Sequence, residues 1–251
     1  ANWKQFVLQV ITVFAVGLTM GAERNVVPLM GEEIFGVESF LIIGSFVVSF
    51  GLVKALLNLY SGKWADAYGR RPVLIAGWLS AVPIPFLLIF APSWGWVALG
   101  NVLLGVNQGI AWSMSMISKI DLADSKERGL AAGIDEAFGY TGVAIGAWLT
   151  GVIAAHYSLR PEPFYFLLGV IGLARLIAAF LIEETLPYAR AEAASGDGSD
   201  RDDAELPFWD IVKRATYEDS TLLAAAQAGH VENFVDTLVW IAVPLFLAGQ
   251  G

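Results

Sequence analysis

Glu23, Glu232 and Asp236 are carboxylates that stand inside long apolar runs of this chain. An ionised carboxylate without a partner is hard to tolerate in a low-dielectric interior, so such groups face a bundle interior or an aqueous cavity. The chemistry open to them is uptake and release of a proton, or capture of an organic cation. Glu232 and Asp236 are four residues apart, as are Asp236 and Trp240, which places all three near one face of a helix. Asn233 stands beside them, with Gln227 and His230 a turn earlier. Asp236 is the strongest single candidate for proton or cation binding; the alternative is a structural pair with Lys54. Glu23 shares a face with Thr12, Val16 and Thr19, with Arg24 and Asn25 next to it. It is expected either to pair with Arg24 or another helix, or to act as a protonatable gate.

Neutral polar residues form a further stripe. Asn101, Gly105, Gln108, Trp112 and Ser115 recur at helical spacing and offer hydrogen bonds and an aromatic wall. Gln108 and Trp112 read as cavity-lining; Asn101 reads equally as a cavity residue or a helix-joining amide. Asp135 and Glu136, with Tyr140 one turn beyond, either line an inner mouth or bind Arg70, Arg71 or Lys119, and the second role is preferred. Asp121 and Arg128 are assigned to the same charged cluster, and Arg175 is expected to reach toward Glu183 or Glu184.

The elements that must position these groups are membrane helices. The chain is 56% hydrophobic and 16% charged, against roughly 25% charged for ordinary soluble domains. A spanning helix takes about 20 mainly apolar residues, and seven such segments are predicted, near 5–30, 39–60, 73–91, 94–117, 129–155, 164–182 and 222–248. Of 15 Lys and Arg, 11 fall on one side of that arrangement: Lys4, Lys63, Arg70, Arg71, Lys119, Lys126, Arg128, Arg190, Arg201, Lys213 and Arg214. The positive-inside bias then puts the N-terminus in the cytoplasm. The expected organisation is an all-α polytopic membrane protein. Residues 1–182 form a six-helix bundle, 183–221 an acidic cytoplasmic linker, and 222–251 the first helix of a second bundle. Within the linker, residues 206–214 are expected to form an amphipathic helix at the interface. The net charge of −9 comes largely from this linker and suggests no nucleic-acid partner; the chain has no cysteine, so disulfide and thiol chemistry are absent.

Between the second and third segments lies Gly62-Lys63-Trp64-Ala65-Asp66-Ala67-Tyr68-Gly69-Arg70-Arg71-Pro72. It reads as a short loop in which Gly62 and Gly69 permit a sharp turn and Asp66 exchanges charge-assisted hydrogen bonds with Arg70 and Arg71. The spacing Gly-x-x-x-Asp-x-x-Gly-Arg-Arg closely resembles the cytoplasmic loop between the second and third helices of the major facilitator superfamily, with Ala67 where a basic residue usually follows the aspartate. Drug exporters of that family often carry an arginine where this chain has Asn101, and a glycine-proline motif in the fifth span, where this chain has Gly139, Gly142, Gly146 and Gly151 but no proline. The resemblance implies alternating access between two six-helix halves, with the 62–72 loop as a cytoplasmic latch. It also implies a chain continuing beyond Gly251. Val27-Pro28-Leu29-Met30 and Val243-Pro244-Leu245-Phe246 are a faint internal echo of that two-fold build.

Other function classes fit poorly. An enzyme would need a nucleophile–base pair or a metal cluster. His156 and His230 are the only histidines; His156 is expected at the outer surface, and His230 has no metal-ligand or serine-protease spacing around it. There is no phosphate-binding glycine-lysine loop of the kind an ATP-driven pump carries. The reading is a secondary active transporter in the cell membrane. Its partners are a small-molecule solute, protons, lipids and the second helical half; no cofactor or metal is expected. The alternative is a membrane receptor or scaffold of the same fold. Carboxylates, amides and tryptophans together suit an organic cation or a polar neutral solute, while Lys54 and Arg24 keep an anion open.

Overall fold

The computed structural model describes residues 2–37, 39–195, 207–231 and 234–235. Glu232, Asn233, Asp236 and Trp240 lie outside the described residues. The described chain is helical and forms two compact units, Ala1–Arg190 and Ala191–Gly251.

Seven helices build the body of the first unit: α1 (Trp3–Glu33), α2 (Phe40–Tyr68), α3 (Arg70–Ala81), α4 (Pro83–Ile89), α5 (Trp94–Leu122), α6 (Arg128–His156) and α7 (Glu162–Phe180). The third predicted segment is thus broken in two. Pro83 has no amide to donate and its ring crowds the preceding turn, so α3 ends at Ala81 and α4 restarts on the proline. Pro28, by contrast, sits inside α1 without ending it. Four described stretches are long and apolar enough to cross a bilayer: α1, α3 with α4 (Arg70–Ile89), α6 and α7. α2 and α5 have the length, at 29 residues each, but are not among those four. In α5 the inward amides and glycines dilute the hydropathy.

The helices approach closely where glycine removes side-chain bulk. α1 and α6 form the most extensive pair. A Cβ on Gly146 would sit 2.5 Å from the Leu18 carbonyl oxygen, and one on Gly142 would run into the Phe14 carbonyl. Glycine is therefore what lets the two backbones touch, as small residues do at membrane-helix interfaces. α5 is the central helix, packed on α1, α2, α3, α4 and α6. Gly105 and Gly109 meet the α2 backbone near Phe50 and Lys54, while Asn107 Nδ2 donates to Gly77 O of α3 at 3.0 Å. The core between them is apolar, with Val13, Val16, Trp78, Met114 and Ala111 all fully buried.

Helix α8 (Leu186–Ser195) leads out of this unit. In the second unit Pro207 precedes α9 (Phe208–Lys213), which runs into a π-helical turn, Arg214–Glu218. The predicted amphipathic segment is therefore one short α turn and a π turn, with Trp209, Ile211 and Tyr217 exposed. Asp219 then caps the helical residues 220–231. Its Oδ1 accepts from Thr221 N at 2.8 Å and Leu222 N at 3.1 Å, and these amides hold its carboxyl below the usual range.

Candidate functional site

The glycine-rich charged segment is not the loop that its composition suggests. Residues 62–68 continue α2 as helix, and the whole connection to α3 is Gly69. Gly69 adopts φ +99°, a conformation that disfavours any side chain. Gly62 needs no such freedom; it lies in the helix, and a Cβ there would meet open space. Reading every glycine in the motif as a turn residue overstated the loop, because helix propensity at Lys63, Trp64, Ala65 and Ala67 carries α2 through.

Extending α2 places Asp66 one turn before Arg70, and a three-residue ion cluster follows. Arg70 Nη1 donates to Asp66 Oδ1 at 2.6 Å, and Arg70 Nε donates to Asp121 Oδ2 at the end of α5 at 2.9 Å. The two partners differ in setting, since the Asp66 side chain is 72% exposed and that of Asp121 6%. Asp121 Oδ2 also accepts from Thr185 Oγ1 at 2.9 Å. Beside it Glu184 caps α3: its two carboxylate oxygens accept Arg70 N at 2.8 Å and Arg71 N at 3.1 Å. An anion at the first amides of a helix satisfies donors that have no intrahelical partner and complements the macrodipole. Arg71 points back to α7, donating through Nη2 to Ala179 O at 2.6 Å. Gln5 completes the anchoring of residues 181–185, donating to Leu181 O at 3.1 Å and accepting from Glu183 N at 3.0 Å.

Sequence reasoning missed Glu184 and Thr185 as members of this cluster. It assigned the acidic pair after α7 to Arg175, which is exposed and makes no ion pair among the described residues. The signal was available: an acidic residue at the end of one span can serve the bare N-terminus of another.

Asp135 and Glu136 belong elsewhere, despite their adjacency. Asp135 pairs with Lys119, both side chains fully buried. Lys119 Nζ also donates to Ser115 Oγ at 2.6 Å and to Gln9 O at 3.2 Å. Ser115 Oγ lies 2.9 Å from Gln9 O and 3.2 Å from Asp135 Oδ1, and donates its single proton to one or the other. This knot ties α1, α5 and α6 together. Glu136, one residue on, turns to the half-buried side of α5 and accepts from Trp112 Nε1 at 3.1 Å. Arg128 is the first residue of α6 and is half-buried.

The polar stripe on α5 is shared among three neighbours, because α5 is central. Gln108 is fully buried and its Nε2 donates to Val16 O at 2.9 Å and Thr19 Oγ1 at 3.0 Å, joining α5 to α1. Gly105 faces α2, and Trp112 faces α6. Asn101 is buried with its Nδ2 unpartnered among the described residues. Glu23, on the α1 face that carries Thr12, Val16 and Thr19, is buried, and neither of its carboxylate oxygens has a hydrogen-bond partner among the described residues. Its neighbour Arg24 is directed to the Phe50 ring, 5.0 Å from the centroid.

Trp112 is the centre of a second cluster, on the less buried side of the unit. Lys54 Nζ lies 5.2 Å from the Trp112 ring centroid and 5.9 Å from that of Phe50. Tyr140 meets Trp112 edge-on at 5.9 Å. Ser113 Oγ donates to Asn58 Oδ1 at 3.1 Å, closing α5 onto α2 one turn away.

A family model for the Major Facilitator Superfamily matches residues 11–250. Among curated relatives, a probable transporter of Saccharomyces cerevisiae, AQR1, is 30% identical over 61% of this chain and 26% of its own length. The class E tetracycline resistance protein of Escherichia coli is 26% identical over 71% of this chain and 44% of its own length. Multidrug resistance protein 2 of Bacillus subtilis is 26% identical over 72% and 44% respectively. The chain thus spans less than half the length of each of these three relatives.

Proposed function

This chain belongs to the major facilitator superfamily, and we propose that it is the first half and linker of a proton-coupled secondary transporter that moves a small organic solute by alternating access. The observation that carries this reading is the Asp66–Arg70–Asp121 cluster at the one-residue α2–α3 junction, capped by Glu184. A charge cluster at a helix junction favours one of two packed states, and a solute or proton shifts the balance by its differential affinity. On this reading α2 and α5 also span the bilayer, which makes a six-helix bundle once α3 and α4 are taken as one broken span. The positive-inside bias places Gly69 and the N-terminus in the cytoplasm, at the plasma membrane.

Glu23 is the proton-carrying group on the side described here. A buried carboxyl with two unpartnered oxygens is tolerated in neutral form, and Gln108 and Thr19 on the adjoining turn keep that face polar. Asp236, with Glu232, Asn233 and Trp240, is the sequence's further candidate for proton or cation binding. The relatives' printed names, tetracycline resistance and multidrug resistance, support an organic solute of drug size.

The test is reconstitution of the full-length protein in vesicles, with tetracycline as probe. Counterflow should run without a gradient, and an imposed pH gradient should drive accumulation. Glu23→Gln should abolish gradient-driven accumulation and leave counterflow. Absence of both activities in well-folded protein, for tetracycline and for a panel of organic cations and neutrals, would move the chain to the receptor or scaffold class.

A further inference from the structure

Helices α1 and α5 run antiparallel, and the bonds between them recur at a fixed interval. Ser115 Oγ of α5 lies 2.9 Å from Gln9 O of α1. Seven residues on along α1 and seven back along α5, Gln108 Nε2 donates to Val16 O at 2.9 Å. Seven residues are close to two turns, about 10 Å of rise, so each such step returns both helices to nearly the same face. The next step sets Glu23 opposite Asn101. At this third level the polar atoms are left over: neither Glu23 carboxylate oxygen has a hydrogen-bond partner among the described residues, and neither does Asn101 Nδ2. Each residue is 1% exposed. Buried polar atoms without partners are uncommon and costly, and here the acceptors and the donor are complementary.

That complementarity depends on a proton. A neutral carboxyl is tolerated in an apolar interior, whereas its ionised form needs donors there. Asn101 Nδ2 is a donor at the matching level. A lysine or arginine at this position would hold the carboxylate ionised by its fixed charge; an amide favours the ionised form by one hydrogen bond and lets the proton return. The charged groups on the surrounding helices are directed elsewhere. On α1, Arg24 acts on Glu23 through its charge but stands over the Phe50 ring. On α2, Lys54 stands over Trp112. Lys119 of α5 and Asp135 of α6 meet at the level of Gln9, and Asp121 of α5 binds Arg70. His156 of α6 is exposed and bonded to Val152 O, and Glu162 of α7 accepts from Ser158 Oγ. We propose that Asn101 is the positioning residue for Glu23: when the carboxyl O–H bond breaks and the proton leaves to solvent, Asn101 Nδ2 donates to the carboxylate and closes a third rung between α1 and α5. This rests on the reading of Glu23 as proton carrier and gives it a mechanical output, since the event that charges Glu23 also adds a bond between two helices.

The experiment is infrared difference spectroscopy of the full-length protein across a pH titration. The carbonyl stretch of protonated Glu23 is the band lost in Glu23→Gln, and its disappearance with rising pH defines a midpoint. Asn101→Leu removes the donor to the ionised form, so the midpoint should move up by about one pH unit or more, the value of one hydrogen bond to a charged group. Asn101→Gln keeps an amide and should stay nearer the parent; Asn101→Met is the second apolar variant, read where Asn101→Leu is not monodisperse. Gradient-driven accumulation of tetracycline, measured on the same preparations, should shift its pH profile in step. An unmoved midpoint in the apolar variants overturns the proposal, as does a Glu23 band that does not titrate. Accumulation that is still lost in Glu23→Gln in those cases leaves Glu23 as the proton carrier and removes only the role of Asn101. A midpoint that moves as expected while Glu23→Gln accumulates normally keeps the rung and removes the proton-carrier reading.

Discussion

The buried Lys119–Asp135 pair gives the sharpest quantitative test of the packing. Both side chains are fully buried, and the ammonium has further acceptors in Ser115 Oγ at 2.6 Å and Gln9 O at 3.2 Å. Replacing Asp135 by Leu leaves an uncompensated cation among three helices, and replacing Lys119 by Met leaves an uncompensated carboxylate. Breaking a buried pair on one side costs about 3–5 kcal/mol, whereas exchanging both partners for apolar groups is often nearly neutral. For a unit of this size each kcal/mol moves the melting temperature by about 2–4 °C, so each single variant should melt roughly 6–20 °C lower. The Lys119→Met/Asp135→Leu double variant should recover most of that loss. The assay is thermal denaturation of the detergent-solubilised protein, followed by loss of the monodisperse peak for all four corners of the cycle. Single variants within about 2 °C of the parent would refute the burial of the pair. A double variant whose loss equals the sum of the two would refute their coupling.

Three further outcomes follow from the same geometry. On the proposed reading Asp66 biases a conformational equilibrium, so Asp66→Asn should impair transport while leaving solute affinity nearly intact; an unchanged transport rate at normal expression would defeat this. Glu184→Ala should cost about 0.5–2 kcal/mol, the value of a helix cap, read as a modest fall in melting temperature; a fall as large as that of Asp135→Leu would show that Glu184 does more than cap α3. Gly142→Val should prevent α1 and α6 from packing, since even the Cβ runs into the Phe14 carbonyl. The measure is recovery of monodisperse protein, and wild-type yield would refute the close approach.

Much of the bundle was legible because membrane spans announce themselves. Predicted segments 5–30, 94–117, 129–155 and 164–182 match α1, α5, α6 and α7 to within a few residues at most ends, since long apolar runs mark where such helices lie. Boundaries failed where polarity and helicity part company. α2 runs eight residues past the predicted end at 60, because Gly62–Tyr68 is polar yet still helical. Pro83 broke the third segment, although the sequence carried that signal openly.

Side-chain partnerships were less legible, for a geometric reason. Helical periodicity says which residues share a face but not which neighbour that face meets, and α5 has five neighbours. Gln108 and Trp112 are four apart and were both read as cavity residues; one is sealed against Val16 and Thr19, and the other is half-buried against Glu136 and Lys54. Likewise Asp135 and Glu136 are adjacent, so they point to different sides of α6, the first into the α1–α5–α6 knot and the second out toward Trp112. Adjacency in sequence therefore separates the two carboxylates in space: the Lys119–Asp135 pair is sealed among three helices, while Glu136 stays at the edge of the Trp112 ring.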